Sequence, residues 1–395
     1  MLISLPKGFS ANGIHCGLKR KRRDLSIFYS GKPCKCSAIF TKNLVKAAPV
    51  ILCRKRIRKN KPVRAVIVNS ANANCMTGER GLKDASKMIK STAEALGVPE
   101  SSVMVSSTGV IGKYLRMGPV IKGIKKLSKT LSTDGVINAA EGIMTTDRFH
   151  KIACRSFKAG GKKIKMVGVA KGAGMIHPDM ATMLCYIMTD ADIDKKALDK
   201  ALAAANGTSF SSITVDGDMS TNDSVFLLAN GAAANRTITA SGRDFKVFLE
   251  KLGEVMLDLA KMIVKDGEGA SKLIDIHVKG CKTVKDAKKA AMAIAGSLLT
   301  KCAVHGGDPN WGRVASSVGA SGVDFDPAKM DIILDDVVFL EKGKFLSPDE
   351  RKLKTVFKGK TVNIEVNLHR GKASAKAYSC DISKKYITIN SYYTT

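Results

Sequence analysis

The 395-residue sequence is poor in aromatic residues, which make up 5% of the chain and include one tryptophan. Stacking platforms for single-stranded nucleic acid need several such side chains, so this composition argues against that class of protein. No apolar run reaches membrane-spanning length, and the first residues lack the long apolar core of a secretory signal. We therefore expect a soluble cytoplasmic protein, and the length favours two domains over one.

Closely spaced cysteine pairs are also absent. The chain has ten cysteines, but no C-x-x-C pair occurs, and only Cys34 and Cys36 stand close together. A structural zinc site usually requires two such pairs, and the six histidines form no helical metal-binding pair. We expect reduced, mostly buried thiols and no metal site.

The motifs of common cofactor-dependent enzymes and serine hydrolases are missing as well. GAGMIH and GEGASK begin like dinucleotide fingerprints, but both lack the third glycine. The glycine spacing of GVIGK is wrong for a phosphate-binding loop, and no G-x-S-x-G sequence occurs. These motifs give no support to a nucleotide-dependent enzyme or to a hydrolase with a serine at a strand-to-helix elbow.

Positive charge is the feature present in excess. The chain has 65 Lys and Arg against 35 Asp and Glu, which gives a net charge of +30 and a pI near 9.8. Two basic runs, KRKRR at residues 19–23 and RKRIRKNK at residues 54–61, are of a kind that binds nucleic-acid backbones. Most of the excess is lysine at helix-surface spacing, however, and no nucleic-acid-binding motif is present. We favour a solvated basic surface that attracts small anions, with nucleic-acid binding as the alternative.

Strand-like and helix-like segments alternate along the chain. Apolar spacing predicts helices at residues 82–96, 120–131, 194–206, 245–262 and 284–299. Apolar or alternating runs predict the strands LSIFYS, CKCSAIFT, VRAVIVNS, VMVSSTGVIG, MLCYIM, SVFLLAN, LIDIHVKG, DIILDDVVFL, TVNIEVNLH, KASAKAYSC and YITIN. This interleaving is typical of an α/β or α+β enzyme.

The stretch KGAGMIHPDMATML, residues 171–184, carries the most specific chemical signal. A glycine-rich loop with one proline delivers the Thr182 hydroxyl to the start of an apolar strand. A neutral threonine hydroxyl is a poor nucleophile, but a threonine at a chain N-terminus can use its own α-amine as the base. This requires cleavage of the Ala181–Thr182 bond, which the Thr182 hydroxyl can itself attack. Taken alone, Thr182 is more simply explained as an ordinary strand residue.

Over essentially its whole length the chain resembles the ornithine acetyltransferase family, the bifunctional glutamate N-acetyltransferases of arginine biosynthesis. The similar motifs follow the family's order: KAAPV, NSANANCMTGERG, SSTGVIG, MTTDRFHK, KGAGMIHPDMATML, DGEGASK, HGGDPNWGR and the ending NSYYTT. The resemblance implies an α/β layered, N-terminal-nucleophile-like fold, shared with β-peptidyl aminopeptidases. It also implies self-cleavage into an α chain, residues 1–181, and a β chain, residues 182–395, which pair as an α2β2 heterotetramer.

The resemblance further implies a role for each matching residue. Thr182 would be the cleavage nucleophile and the acetyl acceptor, while the Thr108 side chain and the Gly109 N–H would form the oxyanion hole. Glu268 would meet the ornithine side-chain amine or assist proton transfer. The implied substrate-binding residues are Thr145, Lys171, Thr182, Glu268, Asn390 and Thr395. Considered singly, Thr108 could cap a turn, Lys171 could be a surface lysine, and Asn390 and Thr395 could belong to a frayed tail.

The implied reaction is a ping-pong transfer of acetyl from N-acetylornithine to glutamate through an acetyl ester on Thr182. The resemblance implies no metal and no organic cofactor, and it leaves open whether acetyl-CoA is a second donor. Two rival functions are a hydrolase that passes its acyl group to water and a nucleic-acid-binding protein that uses the two basic runs.

Overall fold

The computed structural model describes residues 3–177 and 183–392. The strands are β1 (Phe9–Ile14), β2 (Leu25–Phe40), β3 (Val63–Asn72), β4 (Val103–Val110), β5 (Lys151–Ala159), β6 (Lys162–Lys171), β7 (Leu184–Thr189), β8 (Ser224–Ala229), β9 (Leu273–Cys281), β10 (Asp331–Leu334), β11 (Val337–Glu341), β12 (Lys344–Phe345), β13 (Thr361–Asn367) and β14 (Ala373–Cys380). The helices are α1 (Ala48–Arg58), α2 (Gly78–Leu96), α3 (Met117–Leu127), α4 (Val136–Ile143), α5 (Lys195–Gly207), α6 (Gly242–Lys265), α7 (Val284–Gly296), α8 (Leu298–Gly306), α9 (Trp311–Ala320), α10 (Glu350–Leu353) and α11 (Lys384–Tyr392).

The larger sheet has the strand order β4-β3-β2-β8-β7-β6-β5. An eighth strand, β1, pairs with β2 and stands outside this order. The pairs β3–β4 and β7–β8 are parallel, and α2 and α5 provide their crossover connections. Strand β8 lies between β2 and β7. Strands from before and after residue 182 are therefore neighbours in one sheet.

Strand β2 is bent, so that the sheet folds over on itself. Phe28 pairs with β3, whereas Ala38 pairs with Phe226, which in turn pairs with Tyr186. Ten residues of straight strand would span roughly 33 Å. The Phe28 and Tyr186 rings are nevertheless stacked with their centroids 4.6 Å apart. The first half-sheet (β1, the beginning of β2, β3 and β4) therefore packs face to face against the second half-sheet (the end of β2 and β5–β8).

The alternation of side chains along β7 shows how the second half-sheet is buried on both faces. Tyr186 and Met188 belong to the core shared with the first half-sheet and α1–α4, whereas Cys185 and Ile187 belong to the core formed with α5 and α6. Because both faces are covered, all six residues of β7 are buried. The result is a layered arrangement with helices outside two facing half-sheets.

A smaller sheet has the order β12-β11-β10-β13-β9-β14 and packs against α7 and α9 around a third core. Its strands β9 and β14 also contact α6, which joins this sheet to the layers described above. The α6 helix ends at Lys265, and the polypeptide passes through residues 266–272 into β9. This connection brings Glu268 towards the larger sheet.

Most of the predicted helices and strands are confirmed, with shifted ends. α2 ends where Gly97 adopts a left-handed φ of 63°, as glycine readily does. The predicted helix at residues 284–299 is interrupted at Ser297, whose side chain caps α8 by accepting a hydrogen bond from the Thr300 amide. Helix α1 was not predicted, because its basic run conceals the apolar spacing that marks a helix.

The prediction of a strand for YITIN is wrong, since these residues lie in α11. Their alternating apolar pattern favours a strand, but a strand needs a neighbour for its backbone groups. This segment instead satisfies them within a helix. Ser383 attaches the helix to the main body by donating a hydrogen bond from its hydroxyl to the Gly269 carbonyl at 2.7 Å.

The ten cysteines are free, and most of them are buried, as predicted; Cys302 is exposed. Within residues 3–177 and 183–392, no helix is long and apolar enough to cross a membrane.

Gly168 in β6 provides a test of the packing between the second half-sheet and α6. A Cβ added at this glycine would lie 2.8 Å from both Leu259 Cδ1 and Val255 Cγ1. We expect Gly168→Val to lower the free energy of unfolding by about 1–3 kcal/mol in urea titrations, because the helix must move away from the strand. Gly253→Ala is the control, since no atom lies within 4 Å of that position and alanine favours helix. Equal stability of the two variants would contradict this packing.

Candidate active site

One cavity, of about 180 Å³, brings together the predicted site residues that the structure describes. These residues, which all line it, are Thr108, Gly109, Thr145, Lys171, Glu268 and Asn390. Three other predicted residues, Ala181, Thr182 and Thr395, lie outside the described residues. The cavity also has lining residues that were not predicted, among them Asp216, Asp218, Ser220, Thr221, Asn222 and Tyr386.

Thr108 and Gly109 stand at the end of β4, where that strand runs parallel to β3. Gly109 pairs with Ala71 and has a φ of 127°. A Cβ at this position would lie 2.2 Å from the Ala71 carbonyl carbon, so only glycine fits without a backbone shift. The adjacent Thr108 is buried and borders the cavity. A buried hydroxyl next to a glycine amide is suited to donating hydrogen bonds to an oxyanion.

Asn222 secures this strand end and was not predicted from the sequence. Its side-chain amide donates hydrogen bonds to the Ala73 carbonyl at 2.7 Å and to the Ser107 carbonyl at 2.8 Å. The Ser107 hydroxyl donates in turn to Asn69 Oδ1 at 2.6 Å. The feature of the sequence that could have indicated this role is the polar run STND, residues 220–223, which stands directly before the apolar strand SVFLLAN.

Lys171, the last residue of β6, is a buried lysine with only 2% exposure, so the surface-lysine alternative is wrong. Burial lowers the pKa of its ammonium group, although the negative charges of Asp147 and Asp223 oppose this shift. Its ammonium makes no hydrogen bond to any residue within the described ranges. A buried cation that borders a cavity is suited to binding an anionic ligand group.

Two of the loops that line the cavity are joined through Asp147. Its Oδ2 accepts a hydrogen bond from the Thr145 amide at 2.9 Å, and its Oδ1 accepts one from the Gly172 amide at 2.7 Å. Lys151, which has no exposed surface, lies 2.6 Å from both Asp147 and Asp266. Burial alone would raise the pKa of Asp147, but the charges of Lys151 and Lys171 outweigh burial and hold that pKa below its usual value.

Part of the basic run at residues 19–23 has a structural role, so its interpretation as a solvated surface is only partly correct. The Lys19 ammonium donates hydrogen bonds to the Ser70 hydroxyl at 2.6 Å and to the Met144 carbonyl, directly before Thr145. Burial lowers the pKa of Lys19 to about 8. Arg23 forms an ion pair with Glu141 at 3.0 Å. The run thus supports the segment that carries Thr145.

Glu268 and Asn390, which both line the cavity, are in direct contact. Asn390 Nδ2 donates a hydrogen bond to Glu268 Oε2 at 2.9 Å, so the frayed-tail alternative is wrong for Asn390. The Glu268 amide donates to the Ala173 carbonyl at 2.9 Å. A Cβ at Gly174 would lie 2.6 Å from the Glu268 carboxyl carbon, so the absence of a side chain there makes room for this carboxylate.

Asp216 places a second carboxylate in the lining and holds the glycine-rich loop. It accepts hydrogen bonds from the Met175 amide at 2.6 Å and from the Ile176 amide at 2.8 Å. Burial raises the pKa of Asp216, although these hydrogen bonds oppose the shift. Together with Glu268 and Asp218, it gives the cavity an acidic region in addition to the cation of Lys171.

The layered fold, with a cavity whose lining carries charges of both signs, is that of an α/β enzyme. The ArgJ family model matches residues 10–395. An arginine biosynthesis bifunctional protein ArgJ from Caldanaerobacter subterraneus subsp. tengcongensis is 47% identical over 397 residues, which cover 100% of this chain and 98% of that protein. The chain therefore belongs to the ArgJ family, the ornithine acetyltransferases of arginine biosynthesis.

Two solved structures are also similar to this chain. The arginine biosynthesis bifunctional protein argJ from Bacillus halodurans is 40% identical, covers 52% of this chain and 96% of that chain, and has a TM-score of 0.51. The ornithine acetyltransferase from Mycobacterium tuberculosis, solved in complex with ornithine, is 30% identical, covers 44% of this chain and 92% of that chain, and has a TM-score of 0.38. The family and the α/β layered fold predicted from the sequence are confirmed.

Lys151 provides a test of the buried network behind the site. We expect Lys151→Met to lower the free energy of unfolding by about 3–5 kcal/mol, because it leaves the Asp147 and Asp266 carboxylates buried without their shared cation. Urea unfolding followed by circular dichroism measures this loss. Lys158→Met, at an exposed position on the same strand, is the control and should change the free energy by less than about 0.5 kcal/mol. A Lys151 variant as stable as this control would show that the ion pairs are dispensable.

Proposed function

We propose that this ArgJ-family enzyme transfers the acetyl group from N-acetylornithine to glutamate through an acetyl ester on Thr182. The observation that carries the proposal is the convergence of Thr108, Gly109, Lys171 and Glu268 on one cavity. Thr182 is covalently joined to Met183. Met183 directly precedes β7, which pairs with the strand that ends at Lys171.

The charges around the cavity support these substrates. Both substrates carry an α-carboxylate, which the buried Lys171 ammonium would bind, and ornithine carries a side-chain ammonium, which Glu268 would bind. Asp216 and Asp218 add negative charge to the lining. Pairs of opposite charge between a substrate and the lining are stronger in a buried site than in water. One cavity can therefore hold the shared amino-acid end of either substrate.

Self-cleavage would generate the reactive form of the enzyme. The Thr182 hydroxyl attacks the Ala181 carbonyl, an ester forms as the amide C–N bond breaks, and the hydroxyl proton passes to the released amine. Water then hydrolyses the ester, which leaves a carboxylate on Ala181 and a free Thr182. In support of this, the solved Bacillus halodurans chain has about half the length of this one, as expected for one cleavage product.

Acetyl transfer would then proceed in two half-reactions. The α-amine of Thr182 takes the hydroxyl proton while the oxygen attacks the acetyl carbonyl. Thr108 and Gly109 donate hydrogen bonds to the oxyanion, and ornithine leaves after receiving the proton. The glutamate amine then attacks the acetyl ester, which forms N-acetylglutamate and returns the proton to Thr182. We also propose that the α and β chains stay together, because β8 of the second chain would lie between β2 of the first chain and β7 of the second, and that two such pairs form the α2β2 heterotetramer that the family resemblance implies.

Thr182→Ala tests the nucleophile. We expect denatured mass spectrometry to give two chains for the wild type, the second beginning at Thr182, and one chain of about 42.2 kDa for the variant. Acetyl exchange between N-acetylornithine and glutamate should be lost with cleavage, because both steps use the same hydroxyl. Thr361→Ala, an exposed position in β13, is the control. Activity in the Thr182 variant would overturn the proposal.

Glu268→Gln tests which substrate meets this carboxylate. Glutamine keeps an acceptor for the Asn390 amide but removes the charge, so we expect kcat/KM for N-acetylornithine to fall roughly 10- to 100-fold. The value for glutamate should stay level or rise, because glutamate carries no side-chain cation. Glu250→Gln, on the exposed side of α6, should change neither value. An equal fall for both substrates would instead indicate a role for Glu268 in proton transfer.

A further inference from the structure

Four consecutive polar residues, Ser220 to Asp223, are buried directly before β8. Burial of polar side chains is unfavourable unless each finds a partner, so such a run requires a physical reason. The segment lies where the second half-sheet meets the first, and its first three residues line the cavity. The family resemblance gave none of the four a role.

Asn222 holds the first half-sheet. Its two donated hydrogen bonds, to the Ala73 and Ser107 carbonyls, connect it to the ends of β3 and β4. The Ser107 carbonyl belongs to the peptide group that also contains the Thr108 nitrogen. The Asn222 side-chain oxygen accepts a hydrogen bond from the Thr221 hydroxyl at 2.6 Å, which fixes the orientation of the amide. Asn222 therefore restrains the strand end that carries the proposed oxyanion hole.

Asp223 holds the second half-sheet. Its Oδ1 accepts a hydrogen bond from the Met183 amide at 3.0 Å, and the amide of the next residue, Ser224, donates to the Met183 carbonyl at 3.2 Å. The N–H and the carbonyl of Met183 are thus both held by hydrogen bonds, and Met183 is covalently joined to Thr182. The Asp223 backbone is itself held, because its carbonyl accepts a hydrogen bond from the Thr41 amide at 3.1 Å.

The second oxygen of Asp223 is buried, and within residues 3–177 and 183–392 it has no hydrogen bond of good geometry. Burial raises the pKa of this carboxyl well above its usual value, and the Met183 amide, the Lys171 charge and the nearby Ser220 hydroxyl offset only part of the effect. A neutral carboxyl group accepts a hydrogen bond through its carbonyl oxygen, as an asparagine side chain does. Asparagine should therefore be able to replace Asp223 in holding Met183.

We propose that Asn222 and Asp223 are positioning residues that together set the separation between the oxyanion hole and the Thr182 nucleophile. This inference rests on the proposed function, since it assigns no chemistry of its own to either side chain. The two residues are neighbours in sequence, but one holds the first half-sheet and the other holds the second. A displacement of about 1 Å between a nucleophile and its oxyanion donors can cost on the order of 10²-fold in rate.

The test compares Asn222→Ala, Asp223→Ala and Asp223→Asn with the wild type. Cleavage is timed by mass spectrometry after cell-free synthesis, and acetyl exchange is measured on the cleaved protein. We expect Asp223→Ala to slow cleavage at least about tenfold and Asp223→Asn to restore most of the rate. Asn222→Ala should lower kcat roughly 10- to 100-fold with little change in KM, because substrate-binding groups remain in place.

Asn230→Ala is the matched control, because Asn230 is a buried asparagine that directly follows the opposite end of β8. Its amide donates hydrogen bonds to the Lys7 carbonyl at 3.0 Å and to the Ser30 hydroxyl at 3.2 Å. We expect this variant to lose thermal stability comparably while its cleavage rate and kcat stay near wild type. If the variants at 222 and 223 match this control in cleavage and kcat, or if Asp223→Asn is as slow as Asp223→Ala, the positioning role is overturned. If the wild type stays a single chain without acetyl exchange, the proposed function itself fails, and the inference fails with it.

Discussion

The bend in β2 makes the packing of the two half-sheets, and with it the cavity, possible. It allows the first half-sheet to face the second, with the Phe28 and Tyr186 rings stacked between them. A flat sheet with the same strand order would separate the end of β4 from the ends of β6 and β8 by several strands. The fold-over instead places Thr108 and Lys171 around one cavity. Burial of apolar surface between the half-sheets stabilises this arrangement, because both faces of the central strands are removed from water.

Some of the lysines that make the chain strongly basic are buried, so the basic composition is not only a property of the surface. Lys151 and Lys171 are withdrawn from solvent, and Lys19 is largely buried. Lys151 is compensated by two carboxylates at hydrogen-bond distance, whereas within the described ranges the Lys171 ammonium is compensated at longer range by Asp147, Asp223 and Glu268. Desolvation of a cation is unfavourable unless it is paired, so Lys171 would gain most from an anionic ligand. The positive charges of Lys151 and Lys171 keep Asp147 ionised. Its two oxygens accept hydrogen bonds from two loops that line the cavity.

Local sequence patterns predicted most of the helices and strands but not all of them. The α2 and α6 helices follow clear apolar spacing, whereas α1 was concealed by its arginines and lysines. The segment YITIN has the alternation of a strand, yet it lies in α11, where the helix itself satisfies the backbone groups, and Ser383 attaches this helix to the Gly269 carbonyl. The tertiary surroundings decide the secondary structure of such short segments, because an alternating apolar pattern forms a strand only where a neighbouring strand is available.

Sequence motifs were sufficient to predict the family, the α/β class and six of the residues that line the cavity, because motifs of this specificity preserve chemical identity in a fixed order. The contacts by which Asn222 and Asp223 hold opposite half-sheets, and by which Lys19 supports the segment of Thr145, are visible only in the folded structure. The reason is distance along the chain. Asn222 contacts a residue 149 positions away and Lys19 one that is 125 positions away. Local periodicity carries no information about such pairs, which exist only once the sheet has folded over.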